Sequence, residues 1–261
     1  MPRWDDPDTV AFFAARPPDH RLVALLEAGG LACGARVLDL GCAGGRNTAY
    51  LTALDVEVIA VDAEPAMVAA TRARVAPFVG AQEATRRVRL GRFDALDDLD
   101  DASFALVLAL GVLQNAADDE EFGRGVREIA RVLRPGGAVL VTHFSPASRP
   151  PGRPLTRGTG HTYRGFFADD PELPMVLHEA RELDDAFATA GLSPVVPTET
   201  VIAPASGLGS HRTAGVRGAS GNRGDGGTRV TVNAHYRSPD LMRRARDPGG
   251  RQSRLPMNII T

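Results

Sequence analysis

Apolar positions cluster in short, nearly continuous runs at residues 37–41, 56–61, 104–109 and 138–142. Such runs predict central parallel β-strands covered on both faces. Helical segments fall between them. One is expected from Asn47 to Leu54, another over 64–76 with Pro65 near its first turn. A third runs into Leu133-Arg134-Pro135-Gly136-Gly137, where Pro135 and Gly136 are expected to stop it. A short strand is expected around Val88–Leu90. Residues 1–30 carry Val10, Phe12, Phe13, Leu22, Val23, Leu25 and Leu26, and Pro17 and Pro18 divide this segment into two pieces. After Phe144 the texture changes. Residues 145–162 are rich in Pro, Gly, Arg and Ser and read as a loop or lid; residues 182–190 read as a helix ended by Gly191. The stretch 204–228 is dominated by Gly, Ser, Ala and Arg; it cannot bury a core and is expected to be mobile. The tail after Pro239 is polar and weakly patterned.

Composition narrows the class. The chain has 261 residues, 43% of them hydrophobic, enough for one packed α/β domain with additions. A net charge of −2 supplies no basic field and argues against nucleic acid as a partner. There is no lysine, which excludes the P-loop pattern. Cys33 and Cys42 suggest neither a disulfide framework nor a metal site, and no metal is expected. No apolar run reaches the roughly 18 residues that span a membrane, and the first residues do not read as a signal peptide, so a soluble cytoplasmic protein is expected.

The most informative stretch is Val37-Leu38-Asp39-Leu40-Gly41-Cys42-Ala43-Gly44-Gly45-Arg46-Asn47-Thr48, a buried strand, a glycine turn and a helix start. Asp62 ends the next strand, 21 residues after Gly41. A strand, a tight glycine loop and an acid about 20 residues on form a nucleotide-binding constellation. The dinucleotide pattern G-x-G-x-x-G fails, because Ala43 and Arg46 stand where its second and third glycines belong. What remains resembles motif I of the class I S-adenosylmethionine-dependent methyltransferases, with Ala43 in place of the middle glycine. Downstream segments keep the resemblance in order: Phe93-Asp94-Ala95-Leu96, then Ser103 to Asn115 with Ala105 where the family usually has an acid, then Glu128 to Gly137 leading into Ala138–Thr142. Together they cover roughly residues 35–145.

The resemblance implies an α/β fold: a seven-stranded, mostly parallel sheet with helices on both faces, Rossmann-like, closed by an antiparallel pair at 193–203 and 229–237. It divides the chain into an N-terminal helical cap (1–30), a methyltransferase domain (31–238, with the lid at about 145–180 and the Gly-rich insertion at about 204–228) and a polar tail (239–261). It implies S-adenosyl-L-methionine as cofactor and S-adenosyl-L-homocysteine as product. Gly41, Cys42, Ala43, Gly45 and Asn47 would surround the amino-acid part. Asp39 would order the loop, and the Leu110 carbonyl would face the ammonium. Asp62 would bind the ribose, with helix capping as its plainer role. Ala63 and Met67 would flank the adenine, and Asp94 and the Ala95 N–H would meet its edge. Candidate catalytic groups are His143, after the fifth strand, and His161 and Tyr163 in the expected lid. Gln114, Arg164 and Phe166 are candidate substrate contacts, although an arginine-aromatic lid packing on itself fits the last two equally well. The expected partner is a small-molecule substrate methylated at O, N, S or C, with the chain a monomer or homodimer. An RNA methyltransferase and a cofactor-binding, non-catalytic subunit are the alternatives.

Overall fold

A computed structural model describes residues 4–150, 153–204 and 228–239. The Gly-rich stretch expected to be mobile lies, but for its ends, outside the described residues, as does the tail after Pro239. The centre is a parallel sheet of β1 (Arg36–Leu40), β2 (Glu57–Asp62), β3 (Val88–Leu90), β4 (Phe104–Leu110) and β5 (Leu133–Phe144). A small antiparallel sheet of β6 (Thr156–Arg157), β7 (Thr162–Arg164) and β8 (Met175–Val176) follows. The last strands, β9 (Ser193–Pro194), β10 (Glu199–Pro204) and β11 (Thr228–Arg237), complete the main sheet in the order β10-β11-β5-β4-β1-β2-β3, with β9 also on β11.

Among the described residues the sheet has eight strands rather than the expected seven, because its outer edge is broken into β9 and β10. Pro197 falls in the break and has no N–H for a ladder. β11 is antiparallel to both neighbours. The segment expected as a loop or lid contains β6, β7 and β8; they escape a sequence reading because they are only two or three residues long.

Among the described residues, seven α-helices surround the sheet: α1 (Pro7–Ala15), α2 (His20–Glu27), α3 (Arg46–Ala53), α4 (Pro65–Val79), α5 (Ala81–Arg87), α6 (Asp119–Val132) and α7 (Ala180–Thr189). Pro17 and Pro18 lie between α1 and α2. Helix α4 runs past residue 76, with Pro77 in its last turn, and stops at Gly80, where φ is +85°. Helix α5 had no sequence signal, since Ala84 is its only buried residue. Pro135 and Gly136 do not stop α6. That helix ends at Val132 and β5 begins at once. Arg134 precedes a proline and is biased towards extended backbone, and the register slips between Phe104 and Leu106 to absorb the irregular Pro-Gly-Gly run.

The central strands bury both faces, as their unbroken apolar runs require. Leu38, Leu40, Val107, Val139 and Val141 face one core with Phe122, Val126 and Ile129 of α6 and Leu183 and Phe187 of α7. Val37, Val58, Leu106, Leu108 and Leu140 face the other, with Leu22 and Leu51. Tyr236 anchors the antiparallel edge. Its ring stacks on Phe187 with centroids 4.2 Å apart and 10° between planes. Its hydroxyl donates to Asp184 Oδ1 at 2.8 Å. Tyr236→Phe should cost about 1.5–3 kcal/mol, the loss of one hydrogen bond to a charged acceptor. Tyr236→Ala should cost about 3–5 kcal/mol, because it also leaves a cavity. Urea denaturation of both variants measures the difference.

Candidate active site

Strands β1 and β4 are neighbours at the middle of the sheet, the point where strand order reverses. In open α/β sheets this switch point is where ligands bind, beyond the carboxyl ends of the strands. A cavity of about 410 Å³ lies there. Its floor includes Asp39, Gly41, Cys42 and Ala43 from the end of β1 and the loop after it, Asp62, Ala63 and Met67 from β2 and α4, and Leu110, Gly111 and Val112 from β4.

The loop is held by side chains from two other elements. Asp62 Oδ2 accepts from the Ala43 N–H at 2.8 Å, and Oδ1 accepts from the Glu64 N–H at 3.0 Å. The Thr71 hydroxyl of α4 donates to the Ala43 carbonyl at 2.6 Å. Ala43 is thereby pinned at φ +49°, a left-handed conformation that disfavours any residue with a Cβ. Two glycines are required by close packing. A Cβ on Gly41 would lie 2.6 Å from Val112 Cβ, and one on Gly44 would lie 2.4 Å from the backbone nitrogen of Ala14 in α1. At Gly44 the neighbour that excludes a side chain is therefore a helix of the N-terminal segment.

Asp39 is 2% exposed and accepts from the Thr48 hydroxyl at 2.6 Å, which ties β1 to α3. Burial pushes its carboxyl up to about 6, against the Thr48 bond and the Arg46 charge. Burial also raises Asp62, opposed by its bonds from the Glu64 and Ala43 N–H groups.

The N-terminal segment forms one wall through Trp4 and Phe13. It is fastened through Asp19, whose N–H donates to Asn47 Oδ1 at 2.8 Å and whose carboxylate takes bonds from Arg21 and Arg46. Burial would raise that carboxyl, but Arg21 and Arg46 hold it at about 2. Arg74 ties α4 to the carbonyls of Ala14 and Gly44. Leu173 and Pro174 also line the cavity, and Trp4 packs in one cluster with Leu173 and meets Phe167 edge-on with centroids 6.1 Å apart.

The structure brings together many of the residues singled out in the sequence and leaves others apart. Asp39, Gly41, Cys42, Ala43, Asn47, Asp62, Ala63, Met67 and Leu110 line the cavity. Gly45 does not; it is the left-handed N-cap of α3. Asp94 lies off the cavity too. Its carboxylate accepts from Arg92 Nε at 3.0 Å and Arg124 Nη2 at 3.2 Å, and the Ala95 N–H is given to the Arg92 carbonyl. Gln114 is buried beside Gly111, and its Oε1 has no hydrogen-bond partner among the described residues. His143, His161 and Tyr163 are outside the lining, as are Arg164 and Phe166. Arg164 bonds the Glu172 carbonyl, and Phe166 stacks on Phe144 at 4.6 Å. His143 is wholly buried; burial, then His178, pushes its imidazole well below the usual range. Burial and then His161 push His178 down to about 4.

Arg46, Phe93, Asn115 and Glu121 also line the cavity. Arg46 and Asn115 border motifs already legible in the sequence. Glu121 carried no separate signal, because an acid in a first helical turn is ordinarily a dipole partner. Its carboxylate accepts from Arg92 and from the Ala117 N–H.

Two stability measurements test this arrangement. Ala43→Gly should stabilise the fold by about 0.5–1 kcal/mol: relief of left-handed strain, about 1–2 kcal/mol, exceeds the cost of a freer unfolded chain, about 0.4–1 kcal/mol. For Asp39, the folded state holds its proton to about pH 6, whereas the unfolded chain releases it near pH 4. Its buried charge therefore subtracts stability as pH rises from about 4 to 6, and the loss is complete above that window. Asp39→Asn keeps an acceptor for Thr48 and should raise stability at pH 8 by about 1–3 kcal/mol, with a flatter profile between pH 4 and 6. Denaturation across that pH range reads both effects.

Comparison with known proteins agrees with this geometry. The family profile described as a methyltransferase domain matches residues 37–137. A demethylmenaquinone methyltransferase of Clavibacter sepedonicus is 33% identical over 124 residues, 47% of this chain and 46% of that protein. The chain spans about half the length of the curated relatives it matches. Among solved structures, the CcbJ methyltransferase of Streptomyces caelestis superimposes with a TM-score of 0.56 at 22% identity, covering 87% of this chain and 92% of that one. The Burkholderia thailandensis 1,6-didemethyltoxoflavin-N1-methyltransferase, solved with 1,6-didemethyltoxoflavin and S-adenosylhomocysteine, gives 0.54 at 22% identity, covering 92% and 82%. No helix among the described residues is long and apolar enough to cross a membrane. Residues 37–137 thus match the methyltransferase-domain family, and the fold built around them is similar to that of solved class I S-adenosylmethionine-dependent methyltransferases.

Proposed function

We propose that the protein transfers a methyl group from S-adenosyl-L-methionine to a small molecule and releases S-adenosyl-L-homocysteine. The observation that carries this reading is the cavity at the switch point, with the motif I loop as its floor and Trp4, Phe13, Leu173 and Pro174 in its walls. Its volume falls in the range of about 300–1,000 Å³ usual for small-molecule sites. The cavity residues suit the cofactor. Each Asp62 oxygen accepts one bond from a backbone N–H and keeps acceptor capacity for a ribose diol. The loop around Gly41–Ala43 and the Leu110 carbonyl would meet the amino-acid part. Ala63, Met67 and Phe93 would enclose the adenine. In place of Asp94 and Ala95, which are engaged elsewhere, this arrangement relies on the apolar Phe93 face.

Bound S-adenosylmethionine supplies a methyl group already activated by a positive sulfur. The chain's own residues then have to align an acceptor and exclude water. No histidine or tyrosine lines the cavity among the described residues, which favours positional catalysis over a dedicated histidine base. Asn115 and the paired Arg92 and Glu121 are polar groups in the lining beside the apolar Phe93, Leu173 and Pro174. That mixture fits a ring-bearing molecule with one or two polar substituents. The names of the curated relatives and the ligand of the Burkholderia thailandensis enzyme agree with a small-molecule substrate. The same concave, walled shape disfavours a structured RNA, and turnover would exclude a purely regulatory role.

Calorimetric titration with S-adenosylhomocysteine, with NAD as control, tests the cofactor. Selective micromolar binding is expected, and equal binding of NAD or none of either would overturn the reading. Asp62→Ala should weaken that binding by about 1–3 kcal/mol, the scale of a lost hydrogen bond to a charged group. Unchanged affinity in a folded variant would remove Asp62 from the ribose site. Methyl transfer from labelled cofactor to a panel of small aromatic hydroxyl and amine compounds, against RNA, then separates the substrate classes.

A further inference from the structure

Away from the cavity, three histidines that are distant in sequence stand in a row. His143 comes from β5, His178 immediately precedes α7 and its N-cap Glu179, and His161 lies in the turn before β7. His143 Nε2 is 3.1 Å from His178 Nδ1. The His178 ring stacks on that of His161 with centroids 4.4 Å apart and 30° between planes. Asp119, in the first turn of α6, brings Oδ1 to 3.1 Å from His161 Nδ1, and its Oδ2 accepts from the His161 N–H at 3.2 Å. Glu182 Oε1 is 3.4 Å from His161 Nε2. One ligand atom each from Asp119, His161 and His178 can be chosen so that all three lie within 4.8 Å of one another.

We infer that Asp119, His161 and His178 bind a divalent transition-metal ion of the zinc type, which clamps the β6–β8 segment to α6. The donor set is the first reason. Two imidazoles and a carboxylate suit zinc, cobalt or nickel, whereas calcium and magnesium favour oxygen ligands. The orientation of His178 is the second. The contact between the two rings has one hydrogen to share, and in the tautomer that suits metal binding His178 donates it from Nδ1 to His143 Nε2. This leaves the lone pair of His178 Nε2 free, and among the described residues no hydrogen bond is made by that atom. A ligating histidine whose other nitrogen donates to a buried acceptor is the usual outer-shell arrangement around a metal. His178 is 3% exposed and packed against Phe122 at 4.4 Å, so this ligand is fixed in advance.

Adjustment falls to the other two. Zinc bonds of about 2.0–2.1 Å place tetrahedral donors roughly 3.4 Å apart, so the cluster has to contract. The side chains of His161 and Asp119 are 32% and 44% exposed and free to move inward. Glu182 or a water completes the coordination. No short sequence motif marks this site, because its ligands are at positions 119, 161 and 178.

The test uses the full chain without an affinity tag, stripped with EDTA, in a Cys33→Ser background because Cys33 is an exposed thiol. Zinc chloride is titrated by calorimetry, and cobalt chloride is followed by visible d–d absorption. One ion per chain is expected, with cobalt bands of low-symmetry four- or five-coordination and a zinc-dependent rise in melting temperature. His161→Asn and Asp119→Asn, checked for native circular dichroism, should each weaken zinc by at least the 10–100-fold typical of an outer-shell loss and abolish the cobalt bands. No saturable zinc binding would overturn the inference and leave the cluster a metal-free latch. So would equal affinity in both variants, or magnesium binding as tightly as zinc.

Discussion

The bond from the Ala43 N–H to Asp62 joins the two halves of the nucleotide-binding constellation. It connects the loop after β1 to the end of β2, and Thr71 closes the other side by bonding the Ala43 carbonyl. An alanine accepts a left-handed backbone only where its surroundings over-determine it. Here both of its peptide groups are held by side chains. The loop shape that a middle glycine would provide by conformational freedom is imposed instead by tertiary contacts. Asp62 therefore has two duties, shaping the floor of the cavity and presenting acceptor capacity to whatever lies on it.

Burial gives these acids their character. Asp39 is almost fully enclosed and its carboxyl rises to about 6, while Asp19, also enclosed, is held at about 2. The difference is arginine. Asp19 has Arg21 and Arg46 bonded to it, whereas Asp39 has one hydroxyl and a more distant Arg46. In a chain with no lysine, guanidinium forks carry all such pairing by side-chain cations apart from histidine, and their planar geometry suits both oxygens of a carboxylate. The network at Asp19 thus fastens the N-terminal segment and neutralises a charge that the interior would otherwise reject.

The central strands and the glycine loop were legible because they obey local rules. Unbroken apolar runs mean strands buried on both faces, and the spacing from Gly41 to Asp62 follows from one strand-helix-strand unit. Other features depend on contacts between distant segments. Nothing near Asp94 announces that Arg124, 30 residues on, will bind its carboxylate. Nothing in the glycine loop announces that α1 will lie against Gly44. His143 follows a central strand, as a base candidate would, yet it faces Phe122 and His178 within the core. Helix α5 and strands β6 to β8 are too short or too polar to carry a periodic pattern. Strand β5 starts earlier than expected, because the Leu133-to-Gly137 run belongs to the strand once β4 is beside it.

The two walls of the cavity are held by different means. Helix α1 rests its backbone on Gly44, and Arg74 bonds carbonyls on both sides of that contact. The chain that follows is fastened at Asp19 to Asn47, Arg46 and Arg21. Leu173 and Pro174 belong to a segment of two- and three-residue strands whose apolar cluster takes in Trp4 of the N-terminal wall. Trp4 also meets Phe167 of that segment edge-on. The two walls therefore share one hydrophobic seam, and parting them would expose that seam to water.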